Sequence, residues 1–199
     1  MNLVPLIQMK KRKIYLEGGK NPIGFKEFLK KFEEDRKIYI LDWDGIEKDN
    51  PNLCSFQRLS PIYDLWVDFG PRNLGDVVDA FMAGATEITI RNRLCPQLAI
   101  SGIREISENK VYANIDFENI NLQNIDDLFF HDSDGLVNLN SKAKIDQDLR
   151  YSEYLNNLKM KNKLYSYDSN PENLSYWKQF GAEGLLVDIN KFEEFKNDF

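Results

Sequence analysis

The sequence predicts a compact (βα)8 barrel, and three observations carry that expectation. Eight short runs rich in Ile, Leu, Val and Tyr punctuate the chain: NLVPLIQ, KIYILDWD, DLWVDFGPR, EITIRNR, KVYANIDFE, GLVNLN, KLYSYDS and EGLLVD. Most are followed by a stretch of helical pattern, the rhythm of repeated βα units around a parallel sheet. Each also ends in charged or amide side chains, and the C-terminal strand ends are where this fold carries its chemistry. The 199 residues form one domain, because the rhythm leaves no room for a second core. They lie at the lower limit of roughly 200 residues for the fold, so the loops must be short.

The elements between the runs can be justified in turn. Phe25, Phe28, Leu29 and Phe32 fall at i, i+3, i+4, i+7, as do Tyr151, Tyr154, Leu155 and Leu158. Each set makes one apolar stripe to lay against a sheet. Asn73 and Asn170 precede helix-like stretches as N-caps, Pro171 suits a first turn, and Gly84 and Gly181 close those stretches.

Those pairs expose a repeat. At an offset of 97 residues Asn73 matches Asn170, Val77 matches Leu174, Gly84 and Ala85 match Gly181 and Ala182, Ile88 matches Leu185 and Ile90 matches Val187. An offset near half the chain divides the barrel into two half-barrels, approximately residues 1–109 and 110–199.

With that repeat, the stretch IYILDWDGI (Ile38 to Ile46), the segment LWVDFGPR and the segment GAEGLLV resemble the HisA/HisF family. The family includes the ProFAR isomerase and the imidazole glycerol phosphate synthase cyclase of histidine biosynthesis, with archaeal relatives. The resemblance implies a barrel holding a substrate with two phosphates, one in each half, and an isomerase with aspartates at the tips of strands one and five. The second aspartate is matched by Asp116, whereas the first falls at Gln8, an amide that neither gives nor takes a proton near neutral pH. A standard ProFAR isomerase is therefore not expected. Of the phosphate sites, the first half keeps Gly70 and Arg72 in its third-strand turn and ends its fourth strand in Arg91, Asn92 and Arg93. Guanidinium groups can hold a phosphate or carboxylate by forked hydrogen bonds. The second half reads Tyr167, Asp168, Ser169 without glycine and ends strand eight in Asp188, where carboxylates repel an anion.

Read residue by residue, Asp116, Gln8 and Asp42 are the candidate catalytic set. Gly70, Arg72, Arg91 and Asn92 are the candidate anion site, and Lys10, Asp44, Asp68, Asp168, Ser169 and Asp188 are further rim positions. Parity puts Asp42 and Asp44 on one face, both toward the barrel mouth or both away. A ring of acids, Glu118 included, serves Mg²⁺ binding, an amine-bearing substrate or proton transfer; the same acids serve equally as partners for Arg72, Arg91 and Lys10 or as helix caps. No cofactor is expected beyond that Mg²⁺ option, and no transition-metal site. Lys10, Lys11, Arg12 and Lys13 lead into IYLEGGK, a short hairpin or a solvated loop, in which Gly18 and Gly19 fit a tight turn. His131, the one histidine, falls before the sixth strand, away from the chemistry.

The partner implied is a small phosphorylated or carboxylated metabolite, acted on by a sugar-phosphate or aminoaldose isomerase-type enzyme. The alternative is a barrel without catalysis that binds a ligand, a protein partner or a second copy of itself. A net charge of −6 with scattered basic residues argues against nucleic acid. No run approaches the ~20 apolar residues of a membrane span. Two cysteines in separate units make neither a disulfide framework nor a zinc site, and the apolar run before the basic cluster reverses the order of a signal peptide. A cytoplasmic location is the expectation.

Overall fold

The computed structural model describes residues 1–16, 21–32, 37–115, 130 and 132–198. Asp116, Glu118, Gly18, Gly19 and His131 lie outside the described residues. Strand β1 (Asn2–Lys10) turns back through Lys11 and Arg12 into β2 (Lys13–Tyr15), which pairs with β3 (Pro22–Ile23). Both turn residues have positive φ, 52° and 59°. That conformation lets a two-residue turn follow the twist of its strands, and glycine or asparagine adopts it most easily. On lysine and arginine it costs on the order of 1 kcal/mol each. Helix α1 (Phe25–Lys31) buries Phe28 completely and lays Phe25, Leu29 and the following Phe32 on the same core, as their spacing predicts.

From there strands and helices alternate. Strand β4 (Lys37–Asp42) leads to α2 (Trp43–Lys48) and α3 (Leu53–Leu59), and β5 (Asp64–Asp68) leads to α4 (Leu74–Met82). Strand β6 (Ala85–Ile90) leads to α5 (Ile100–Arg104), and β7 (Lys110–Ile115) follows. Next come β8 (Gly135–Asn138), α6 (Lys142–Asp146), α7 (Leu149–Lys161) and β9 (Leu164–Tyr167). Helix α8 (Leu174–Phe180), β10 (Gly184–Asp188) and α9 (Phe192–Asn197) complete the chain.

Strands β1 and β4 to β10 are parallel neighbours, and β10 returns to pair with β1, closing an eight-stranded barrel. Each of the eight apolar runs overlaps one of these strands. Asn73 caps α4 in a reciprocal capping box with Asp76, while Asn170 caps a 3-10 turn at Pro171–Asn173 that precedes α8. Gly84 and Gly181 end α4 and α8 with φ of 95° and 83°, left-handed values suited to glycine.

Alternation sorts the strand side chains between two compartments. Outward residues such as Ile38, Ile40, Leu65 and Val67 are wholly buried under the helical shell, which is why these strands read as near-continuous apolar runs. Inward residues build a plug. The Trp66 ring lies 4.0 Å from that of Tyr112, 5.0 Å from Tyr165 and 5.1 Å from Tyr39. Trp66 Nε1 donates to Thr89 Oγ1 at 2.9 Å, so its one polar atom is satisfied inside the barrel. Below the plug Glu87 accepts from Lys37 Nζ at 2.6 Å and pairs with Lys110 Nζ at 3.5 Å. Above it the barrel stays open.

Candidate functional site

The open end is a cavity of about 330 Å³. Its walls come from six strand ends: Leu6 and Gln8 on β1, Leu41 on β4 and Trp43 just after it, Arg91 and Arg93 after β6, Asn114 and Ile115 on β7, Leu139, Asn140 and Lys144 after β8, and Tyr167 on β9. Three of these side chains are cationic, three are amides, and no carboxylate belongs to the lining among the described residues.

Hydrogen-bond accounting shows what the walls offer. Trp43 Nε1 donates to Gln8 Oε1 at 3.0 Å. An indole nitrogen can only donate, so this contact fixes which end of the Gln8 amide is oxygen and leaves its NH₂ for the cavity. Asn140 spends its Nδ2 hydrogens on Asn138 Oδ1 at 3.3 Å and Tyr151 Oη at 3.1 Å, and so can offer its carbonyl oxygen. Tyr167 donates to Asp188 Oδ2 at 2.8 Å; burial and the adjacent Asp188 push its pKa up, so the phenol keeps its proton and presents a lone pair. Arg91 lines the cavity while gripping Asp68, with Nε to Oδ1 at 2.8 Å and Nη2 to Oδ2 at 2.7 Å. Asp68 in turn accepts from Tyr39 Oη at 2.9 Å, tying the site to the plug.

The acids expected on the rim are turned elsewhere. Asp42 faces the helical layer and caps α2: it accepts from the Asp44 and Gly45 backbone N–H at 3.2 and 3.4 Å and from Asn52 N and Nδ2, both at 2.7 Å. Burial, opposed by these bonds, raises its pKa from near 3.8 to about 6. Asp44 shares that face and bonds Lys48 Nζ at 2.9 Å and Asn52 Nδ2 at 3.2 Å. Burial disfavours its charge, but the bonds from Lys48, Asn52 and the Lys11 backbone outweigh it and hold the carboxyl below its ordinary value. Both therefore point away from the mouth. Asp168 collects Trp177 Nε1 at 2.7 Å, Asn170 N at 2.9 Å and Asn173 Nδ2 at 3.1 Å, which makes it a cap for the turn leading into α8. Ser169 gives its carbonyl to Lys191 Nζ at 3.2 Å.

The expected anion set is divided. Arg91 lines the cavity, but Arg72 does not. Its guanidinium donates to Gly70 O at 2.7 Å and Ile46 O at 2.8 Å, clamping the β5–α4 turn onto α2. Gly70, at φ 65°, makes that turn; a Cβ there would meet Leu94 Cδ1 at 2.7 Å. Asn92 is exposed and outside the lining, whereas Arg93, two residues beyond Arg91, is within it. Lys10 pairs with Glu47 at 3.4 Å on the surface, again outside the cavity. Lys144, Asn140, Asn114 and Tyr167 are lining residues that the candidate set omits. Among the described residues no group of three His, Cys, Asp or Glu side chains is placed to hold a metal ion. No helix among them is long and apolar enough to cross a membrane.

No protein-family model and no curated protein sequence matches this chain. Solved structures do: one is 3-hexulose-6-phosphate synthase from Salmonella typhimurium, with a TM-score of 0.61 and 11% identity, covering 100% of this chain and 98% of that one. At that identity the likeness is one of fold, and it establishes the barrel end to end.

Proposed function

We propose that the mouth binds a small metabolite carrying one phosphate or carboxylate group and several hydroxyls. The observation that carries this reading is the lining: Arg91, Arg93, Lys144 and the Gln8 amide supply donors, and no described lining residue is acidic. The Asn140 carbonyl and the Tyr167 phenol supply the acceptors that hydroxyl groups need. The cavity lies where barrels of this fold do their chemistry, and the structural neighbour is named for a phosphorylated sugar, which supports the same class of ligand. Descent from a HisA/HisF-type half-barrel duplication is part of the reading, with the second phosphate site lost to Asp168 and Asp188.

If the ligand is turned over, isomerisation is the reaction proposed, with Asp116 as the proton-transfer group. Gln8 then orients an oxygen rather than moving a proton, and Asp42 serves the fold. A second reading, a barrel that binds without turning over, is favoured by one specific observation: the described lining contains no Asp, Glu, His or Cys.

Thermal unfolding with ribose 5-phosphate, inorganic phosphate and ribose tests the binding. Ribose 5-phosphate should raise the melting temperature most, by mass action on the folded state. Arg93→Ala with Lys144→Ala should remove the shift. A shift of equal size in that double variant, or none in the wild type, would sink the proposal. Deuterium incorporation at C2 of bound aldose phosphates in D₂O, lost in Asp116→Asn, separates turnover from binding alone.

A further inference from the structure

Gln8 and Met9 are neighbours on β1 that face opposite ways. Gln8 lines the mouth, whereas Met9 lines a second, open cavity of about 330 Å³, bordered by residues of β1, the Arg12 turn, β2, β3, α1 and α3. Its apolar wall is Met9, Ile14, Ile23 and Phe25, and its polar rim is Arg12, Lys13, Arg58 and Ser55.

The described rim carries three cationic side chains and no acidic one. Among the described residues no carboxylate pairs with Arg12, Lys13 or Arg58, although the chain as a whole is acidic, at −6. Arg58 stacks on the Phe25 ring with its guanidinium carbon 3.9 Å from the centroid. Stacking fixes the plane of the fork and leaves its edge N–H groups to an oxyanion. Arg12 reaches the rim from a backbone at φ 59°, where a smaller residue would sit with less strain. A cationic side chain placed at a strained turn is a reason to look for what it binds.

We propose that this cavity is a binding site, separate from the mouth, for a small organic anion: one phosphate or carboxylate group held by Arg12, Lys13 and Arg58, with a compact apolar group against Met9 and Ile14. Its volume is at the lower end of the roughly 300–1,000 Å³ of small-molecule pockets, which sets the ligand's size. Charge complementarity selects the anion, and the Met9–Ile14–Ile23 wall selects an apolar body over a bare ion.

The test uses the whole chain with ¹³C-methyl Met and Ile, titrated with phenyl phosphate. Met9 and Ile14 methyl signals should shift saturably, with at least tenfold tighter apparent affinity than for orthophosphate. Arg12→Ala with Arg58→Ala should weaken this response by about tenfold or more, and both side chains are exposed, so the fold should survive. Unchanged methyl signals elsewhere in the spectrum check that it does. Arg93→Ala, in the mouth, should leave the Met9 response intact. No shift at Met9 or Ile14, a shift that survives the double replacement, or one abolished by Arg93→Ala overturns the assignment. A shift with an acidic Glu-Phe-Glu peptide but not with phenyl phosphate overturns it too, in favour of a protein segment.

Discussion

Arg91 and Asp68 face each other inside the barrel in a forked pair, with both hydrogen bonds at 2.8 Å or less and side chains 8% and 0% exposed. Each charge is tolerated there because the other is present. Asp68→Asn or Arg91→Met alone should destabilise the protein by roughly 3–5 kcal/mol, since each strands a buried charge. Combining them should cost far less than the sum. Urea unfolding of the two single variants and the double variant measures this coupling; additive losses would mean that the pair acts as two independent groups.

Trp43 sets the direction of the Gln8 amide. Trp43→Phe keeps the ring but removes the donor, worth about 1 kcal/mol, and lets the amide rotate. Affinity for ribose 5-phosphate should fall about fivefold while the melting temperature moves little. Calorimetric titration of both proteins reads the difference, and equal affinities would show that Gln8 needs no such support.

Asp42 should make stability depend on pH in an uncommon direction for a carboxylate. Its folded pKa of about 6 lies above its ordinary value near 3.8. The folded state therefore holds a proton that the unfolded chain has released, and the contribution present below about pH 4 is lost as pH rises through about 6. The amount is on the order of 3 kcal/mol. Asp42→Asn shifts stability by a constant amount at every pH but removes this slope. The test is whether the wild-type-minus-variant difference in urea midpoint changes between pH 4 and 7.

Gly45 lies inside α2, where alanine would ordinarily stabilise a helix by nearly 1 kcal/mol. Here an added Cβ would come within 2.3 Å of the Phe69 carbonyl oxygen. Gly45→Ala should therefore destabilise, by about 1–3 kcal/mol for overpacking. A gain in melting temperature would show that α2 moves freely away from β5.

The barrel was legible in the sequence because parallel strands under a helical shell are apolar on one face and mixed on the other, and short runs such as Ile38 to Leu41 and Leu185 to Val187 recur between helix-like stretches. Gln8 and Arg91 are candidates as strand-end residues and both line the cavity, whereas Asn92 is a candidate and its neighbour Arg93 lines the cavity instead. What parity cannot supply is the absolute face. Asp42 and Asp44 were placed together, but only the close of β4 into α2 turns them outward, since the backbone N–H groups of a helix start attract a carboxylate more strongly than an open mouth does. Arg72 shows a second limit: a guanidinium beside a glycine turn can reach outward for an anion or inward for a carbonyl, and the fold supplied Gly70 O and Ile46 O. Lys144 and Asn140 join the cavity through the course of the β8–α6 connection, which no local pattern encodes.

The pairing of Leu6 with Asp188 joins the first strand of the barrel to its last, 182 residues on. During synthesis β1 emerges early, with β4 to cover one edge and β2 to cover the outer part of the other. The part from Asn2 to Leu6 has no neighbour on its second side until β10 leaves the ribosome. Until then the nascent chain carries an open strand edge at each end of its sheet, the kind of surface that recruits other chains. Ring closure thus waits for β10, and until it arrives the two open edges depend on something else to keep them from pairing with other chains.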